Sequence, residues 1–442
     1  MTIQLSDRFT YGKLLRFTLP SIAMMIFTSI YGVVDGFFVS NFVGKTPFAA
    51  VNFIMPFLMI LGSVGFMFGS GGSALIAKTF GEGRDEKARE LFSLFVYVSA
   101  AVGVVLAVLG IIFIRPIASL LGAEGTMLDD CVIYGRIILA ALPAYMLQLE
   151  FQTYFVTAEK PHLGLIITVA SGCTNMVLDA VLVGCTPLGL VGAALATAVS
   201  QAVGGIVPLI YFGRKNSSTL QLTRAKMDKR ALRQACTNGS SELLSNVSMS
   251  IVGMLYNVQL MKYAGEDGVA AYGVLMYVNF VFISAFIGYS VGSAPIISFK
   301  YGASDHAQLK SMLKKSLVII SVFSVAMLAS GELLGKPLSS LFVGYDKVLF
   351  EMTSEAFRIF SLSFAFAGFA IFGSSFFTAL NDGPVSAAIS FLRTLVFQII
   401  AVLVFPMLWG IEGIWWSVVA AEAMAVAVTG VFMLALKKKY KY

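Results

Sequence analysis

The chain is 442 residues long, 58% hydrophobic and only 12% charged, with 41 glycines and a mean hydropathy of +0.85. Soluble domains average about 25% charged residues, so this composition excludes a water-soluble multidomain protein, a disordered chain and a nucleic-acid binder. The net charge of +7 carries information through its placement along the chain rather than through its sum.

Met1 to Lys13 is too polar for a signal peptide, so insertion is expected through the first apolar run. Apolar runs bounded by charges and Gly/Pro clusters predict spans at 14–40, 48–76, 92–114, 133–157, 163–185, 188–212, 237–262, 270–299, 314–335, 353–378, 384–408 and 412–436. A membrane crossing takes about 20 apolar residues, and a helix satisfies its own backbone in lipid. Lysines and arginines then divide unevenly between alternate connections. Twenty-three lie on the N-terminal segment, the loops after even-numbered spans and the C-terminal tail. Six lie on the other side (Lys45, Arg115, Arg136, Lys262, Lys336 and Lys347), and Arg358 and Arg393 fall inside spans. The positive-inside rule therefore places both termini in the cytoplasm of a multi-pass plasma-membrane protein.

An internal repeat appears at an offset near 221. Ser29-Ile30-x-Gly32 recurs as Ser250-Ile251-x-Gly253, and Phe80-Gly81 as Tyr301-Gly302. Pro116-x-x-Ser119-Leu120 recurs as Pro337-x-x-Ser340-Leu341, Thr157-Ala158 as Thr378-Ala379, and Gly189-x-x-Gly192 as Gly410-x-x-Gly413. Six spans per repeat is an even number, so the halves are parallel, related by a pseudo-two-fold axis along the membrane normal. The expected fold is an all-α bundle of twelve transmembrane helices in two six-helix lobes. The N-lobe is 1–212, a basic cytoplasmic linker 213–236, and the C-lobe 237–442.

Ionisable groups inside spans are costly and point to function. Asp35 in span 1 and Asp179 in span 5 fall in the outer thirds of their spans. Asn175 lies one turn before Asp179 on the same face, and Thr197 of span 6 sits at a similar depth. Carboxylates, an amide and a hydroxyl are hard ligands suited to Na⁺ or a proton. At the repeat offset Asp35 meets Tyr256, Asp179 meets Ile400 and Asn175 meets Val396, and a purely structural cluster would more naturally recur in both halves. Glu150, Glu242, Arg393 and Glu422 are read as cleft residues or partners in inter-helix ion pairs. Glu332, Arg136 and Arg358, near helix ends, are expected to snorkel. Aromatic and thioether walls suit bulky apolar cations. The cleft candidates are Tyr31, Tyr145, Tyr256, Met276, Tyr277 and Phe280, with Glu150 and Arg393 added from the intramembrane charges.

The four cysteines show no metal-type spacing. The only histidines, His162 and His306, sit in or beside cytoplasmic loops, and no nucleophile–base constellation appears, so no enzyme is expected. The best reading from the residues alone is a transporter that works by alternating access. It needs no cofactor beyond a coupling ion, Na⁺ or H⁺, and no nucleic-acid partner, and the expected state is a monomer in the lipid bilayer. The alternative is a flippase for lipid-linked sugars, which would require a strongly basic cavity.

The chain resembles the multidrug and toxic compound extrusion (MATE) family, in its DinF-like and MepA-like bacterial branch. The resemblance rests on Leu19-Pro20, Val34-Asp35-Gly36, Gly81-Glu82-Gly83, Asn175-Met176-Val177-Leu178-Asp179 and Gly189-x-x-Gly192-Ala193-Ala194. It implies an outward-facing V of two lobes exporting organic cations against Na⁺ or H⁺. It also implies an N-lobe cation site at Asp35, Asn175, Asp179 and Thr197, with span 1 bending at Pro20. Acidic residues carried by the C-lobe in other branches have no assured match here in Glu242 or Glu422.

Overall fold

A computed structural model describes residues 3–442, apart from the side chains at 33, 36, 37, 40, 41 and 45; Met1, Gly36 and Lys45, named above, therefore lie outside the described residues or side chains. Nine helices among the described residues are long and apolar enough to cross a membrane. The pair Lys347–Ser361 and Phe364–Ala379, bent by 48°, forms a tenth span. Two of the nine are double crossings. The helix Lys229–Gly302 has 74 residues, about 110 Å if straight, against about 30 Å of hydrocarbon. It divides at Gly265 (φ 63°, ψ −151°), and the helix Phe397–Tyr440 divides at Gly410 (φ 60°, ψ −136°). That backbone region is open in practice only to glycine. Counted this way, the described residues are consistent with the twelve spans that the sequence predicts.

Spans 1 to 6 are Tyr11–Phe38, Lys45–Gly81, Asp85–Leu120, Gly125–Thr157, Pro161–Leu178 and Gly189–Gly213. Spans 7 and 8 are 229–264 and 266–302, span 9 is His306–Val343, and span 10 is the bent pair. Span 11 starts as Gly383–Phe391 and runs to 409, and span 12 is 411–440. Most helices overrun the predicted apolar cores by a turn or more, because the charged residues that bound each run remain helical beyond the hydrocarbon. Span 3, for example, starts at Asp85 and Glu86, where acidic residues favour a helix N-terminus. Asp228, Asp305 and Asp346 accept backbone N–H bonds at the starts of spans 7, 9 and 10. The helix of span 7 begins at Lys229, inside the basic segment 213–236. Span 10 is one apolar run in sequence but bends after Ser361, whose hydroxyl donates to Glu332 at 2.5 Å. Glu332, exposed near the end of span 9, is thus bonded across spans 9 and 10.

An even number of spans puts both chain ends on one face, called here the basic face. The two halves meet along a seam built of glycines. A Cβ at Gly71 would lie 2.0 Å from the Ala235 carbonyl oxygen, and one at Gly239 would lie 1.9 Å from that of Met67, so spans 2 and 7 touch backbone to backbone. Gly81 and Gly302, 221 positions apart, make reciprocal contacts: each Cβ would come within 2.1 Å of a carbonyl oxygen, of Phe299 and Lys78 respectively. Those carbonyls are also 221 apart. The pairing of Gly71 with Gly239 is mirrored by Gly292 against Thr18, again at that offset. The pseudo-two-fold axis read from the repeat therefore passes through this seam. All these contacts lie in the basic half of the spans.

The N-terminal segment straps the same face. Leu5 and Phe9 are buried in the apolar cluster of spans 8, 9 and 10. The Leu5 N–H donates to Glu159 of the first half at 2.7 Å, and Lys300 and Lys315 donate to the carbonyls of Ser6 and Phe9, each at 2.7 Å.

Candidate cation-coupling site

Span 1 lies directly on span 5, because Gly172 leaves room for the rings of Phe27 and Tyr31; a Cβ there would be 2.5 Å from Phe27. That contact aims Asp35, one turn after Tyr31, at span 5. Both spans then widen into a π-helical turn, Val39–Val43 in span 1 and Asp179–Val183 in span 5, a distortion frequent at functional sites. The second begins at Asp179 itself.

The four sequence candidates come together. Asp179 is 0% and Asn175 1% exposed, while Asp35 and Thr197 are half-buried. The Asp35 carboxylate faces Asp179, Asn175 and Thr197, and Asn175 Nδ2 donates to Thr197 Oγ1 at 3.5 Å. Two carboxylates both accept and neither donates, so this contact is satisfied only by a proton or a cation placed between them. The remaining atoms agree. Asp35 Oδ1, Asn175 Oδ1 and both Asp179 carboxylate oxygens are buried without a hydrogen-bond partner among the described residues. Four orphaned oxygens from two helices, with a hydroxyl from a third, form a hard, cation-seeking cluster.

The structure adds Tyr134 of span 4, which the sequence reading missed. Its buried hydroxyl reaches Thr197 beside both carboxylates. The depth argument that found Asp35 could have found it, since Tyr134 lies ten positions into a span that starts at the opposite face. Tyr31 also adjoins the site, close to Asp35, Tyr145 and Gln148. Span 1 is a continuous helix through Pro20, whose ring removes the bond to the residue 16 carbonyl.

The cleft candidates divide. Tyr145 is half-buried, its ring set in the notch left by Gly62 of span 2. Phe280 is exposed at the seam, its carbonyl accepting from Ser29 of span 1 at 3.4 Å. Met276 packs half-buried on the C-half core. Three of the other four need correction, while Tyr277 stays exposed. Tyr256 is 1% exposed, and its hydroxyl is bonded to Gln398 at 2.7 Å and Ser417 at 2.9 Å, so it joins spans 7, 11 and 12 inside the second half. Tyr277 stacks on Phe342 of span 9, ring centroids 6.4 Å apart, at a helix–helix contact. Glu150 is 0% exposed and lies in the interior of the first half. Arg393 is held bidentately by Glu422, with bonds of 2.9 Å, so of the two roles left open for these charges the ion pair is the one formed. No unpaired arginine is left at that position for the basic cavity that the flippase alternative would require. The half that lacks the acid pair is therefore internally satisfied at the matching place: Tyr256, the counterpart of Asp35, sits in a neutral network.

Apolar spans in two repeated halves, meeting at a glycine seam and carrying an acid pair in one half whose oxygens are unpartnered among the described residues, define a polytopic membrane protein. The sequence model of the MatE family matches residues 20–181 and again 243–404, one match per repeat. The chain belongs to the MatE family. It is 26% identical over 417 residues to the multidrug export protein MepA of Staphylococcus haemolyticus, covering 94% of this chain and 91% of that one. Against MepA of Staphylococcus aureus it is 25% identical over 418 residues, with the same coverage. A crystal structure of a MATE protein in complex with MaL6 superimposes with a TM-score of 0.93 at 22% identity, covering 98% of both chains. An outward-facing MATE transporter of the MOP superfamily matches with a TM-score of 0.93 at 22% identity, over 98% of this chain and 97% of that one. These structural likenesses establish the fold.

Proposed function

We propose that the protein is a secondary exporter of organic, amphipathic cations that exchanges each substrate for Na⁺ or H⁺ at the Asp35–Asp179 pair. The observation that carries this reading is the pair itself, a half-buried and a buried carboxylate facing each other, with three buried oxygens unpartnered among the described residues. Such a pair is stable only with a positive charge between its members. The names of the Staphylococcus relatives support multidrug export. The excess of lysine and arginine supports a cytoplasmic basic face, on which reading the glycine seam closes the cytoplasmic side and substrate leaves outward.

The ion enters from outside, bridges Asp35 and Asp179 with Asn175 and Thr197 completing its oxygen shell, and draws spans 1 and 5 together. The occupied site favours release of substrate, and the return to the inward-open state discharges the ion. One charge crossing 100 mV contributes about 2.3 kcal/mol, enough for a concentration ratio of about fiftyfold at 1.4 kcal/mol per tenfold. Equilibrium binding of radioactive Na⁺ to purified protein, together with proton release on Na⁺ addition, tests the site directly. Wild-type protein is expected to bind one ion or exchange one proton per chain, and Asp179→Asn neither. Equal binding by wild type and Asp179→Asn would contradict the assignment.

A further inference from the structure

Glu150 is left over. It is 0% exposed, and both its carboxyl oxygens are buried without a hydrogen-bond partner among the described residues. It is two positions from Gln148 and so faces away from the Asp35 side of span 4. Its recorded neighbours are two hydroxyls, those of Ser99 in span 3 and Tyr154 in its own span. Tyr154 already donates to the Phe68 carbonyl at 3.1 Å, while Ser99 Oγ, like the Glu150 oxygens, is buried without a hydrogen-bond partner among the described residues. Span 2 presents glycines here: a Cβ at Gly69 would be 2.9 Å from the Glu150 Cα, and one at Gly72 would be 2.5 Å from the Tyr154 hydroxyl. The groups named beside the carboxyl are two hydroxyls and no second carboxylate, a setting that suits a proton rather than a metal ion.

The position of Glu150 relative to the seam gives that proton a role. Thr153, one turn on, lines a cavity of about 50 Å³ between the halves with Ser70 and Ser73 of span 2, Glu242 of span 7 and Ser290 of span 8. Glu242 is the charged group facing this wall from the other half, with Arg393 near it; spans 2 and 3 face Glu150 with no ionisable side chain among the contacts named. The cavity is closed on its basic side by the glycine contacts of spans 2, 7 and 8.

We propose that Glu150 is a second proton-binding site of the exporter, sealed while the seam is closed and exchanging its proton with water at the basic face when the seam parts. The proton leaves the carboxyl as a hydrated proton and the carboxylate is then wetted. The proposal rests on the antiport reading for its purpose but not for its measurement.

The test is infrared spectroscopy of the full-length protein in phospholipid vesicles. A protonated-carboxyl C=O stretch is expected in wild type, lost in Glu150→Gln and shifted in Ser99→Ala, which keeps the test open should Glu150→Gln fold poorly. Exchange of that band in D₂O is expected to be slow in wild type and fast in Gly302→Ala, where the seam is forced apart. Coinciding spectra for wild type and Glu150→Gln, no shift in Ser99→Ala, or equal exchange in wild type and Gly302→Ala would each overturn the proposal. Gradient-driven efflux that persists in Asp35→Asn would instead overturn coupling at the Asp35–Asp179 pair, whatever the Glu150 band does.

Discussion

The substitution Gly302→Ala probes the seam most sharply. Its Cβ would lie 2.1 Å from the Lys78 carbonyl oxygen and 2.8 Å from the carbonyl carbon, where ordinary contact begins at 3.4 Å. The obstructing atoms are backbone, so no rotamer change relieves the clash, and spans 2 and 8 must separate by about 1 Å. Overpacking of this kind costs about 1–3 kcal/mol. The cost falls on the closed-seam state alone, so the parted state gains about five- to hundredfold in relative population at 1.4 kcal/mol per tenfold. A cysteine at Ser70, which lines the seam cavity, reports the change in a background where Cys131, Cys173, Cys185 and Cys236 are replaced. Its modification by a membrane-impermeant maleimide from the basic face is expected to accelerate by that factor. An unchanged rate in a protein whose melting temperature is also unchanged would refute the idea that these glycines hold the two halves together.

Other consequences follow from single contacts. Tyr256→Phe leaves Gln398 and Ser417 without their shared hydroxyl and is expected to lower stability by about 1–3 kcal/mol in thermal unfolding, with substrate binding unchanged. Arg393→Met strands a mostly buried Glu422 and is expected to cost about 3–5 kcal/mol, most of it recovered on adding Glu422→Leu; no recovery in the double variant would refute the pairing. Asp228, at the start of span 7, is held below the usual aspartate range by the Ala231 N–H first and then by Lys87. A lowered value stabilises the fold above the ordinary aspartate range, and the effect is lost as pH falls through the lowered value. The stability difference between wild type and Asp228→Asn is therefore expected to be present at pH 7 and to vanish in acid.

Much of the fold was legible in the sequence because lipid imposes simple rules. Length and charge delimit spans, and Gly81, Gly302 and the other repeated pairs mark two halves. Gly410 was visible as part of a repeated motif, but its positive φ was not, nor was the bend after Ser361, which depends on Glu332 of another span. The acid cluster was legible because depth along a span is a one-dimensional quantity: Asp35, Asp179, Asn175 and Thr197 fall in one slab, and so does Tyr134, to which the same arithmetic was not applied. Facing was the harder matter. An ionisable residue in a span points inward, but periodicity does not say whether inward means a cleft or a packed core. Glu150 and Tyr256 fall in the core for that reason, and Arg393 meets Glu422, 29 residues away, through a contact that no local pattern encodes.

The account stands on the claim that the Asp35–Asp179 pair couples an ion to export. Efflux of a fluorescent organic cation from proteoliposomes, driven by a Na⁺ gradient alone and then by a pH gradient alone, tests it most directly. Wild type is expected to respond to at least one gradient, naming the ion, and Asp35→Asn and Asp179→Asn to respond to neither while folding normally. Wild-type rates in both variants would contradict the claim.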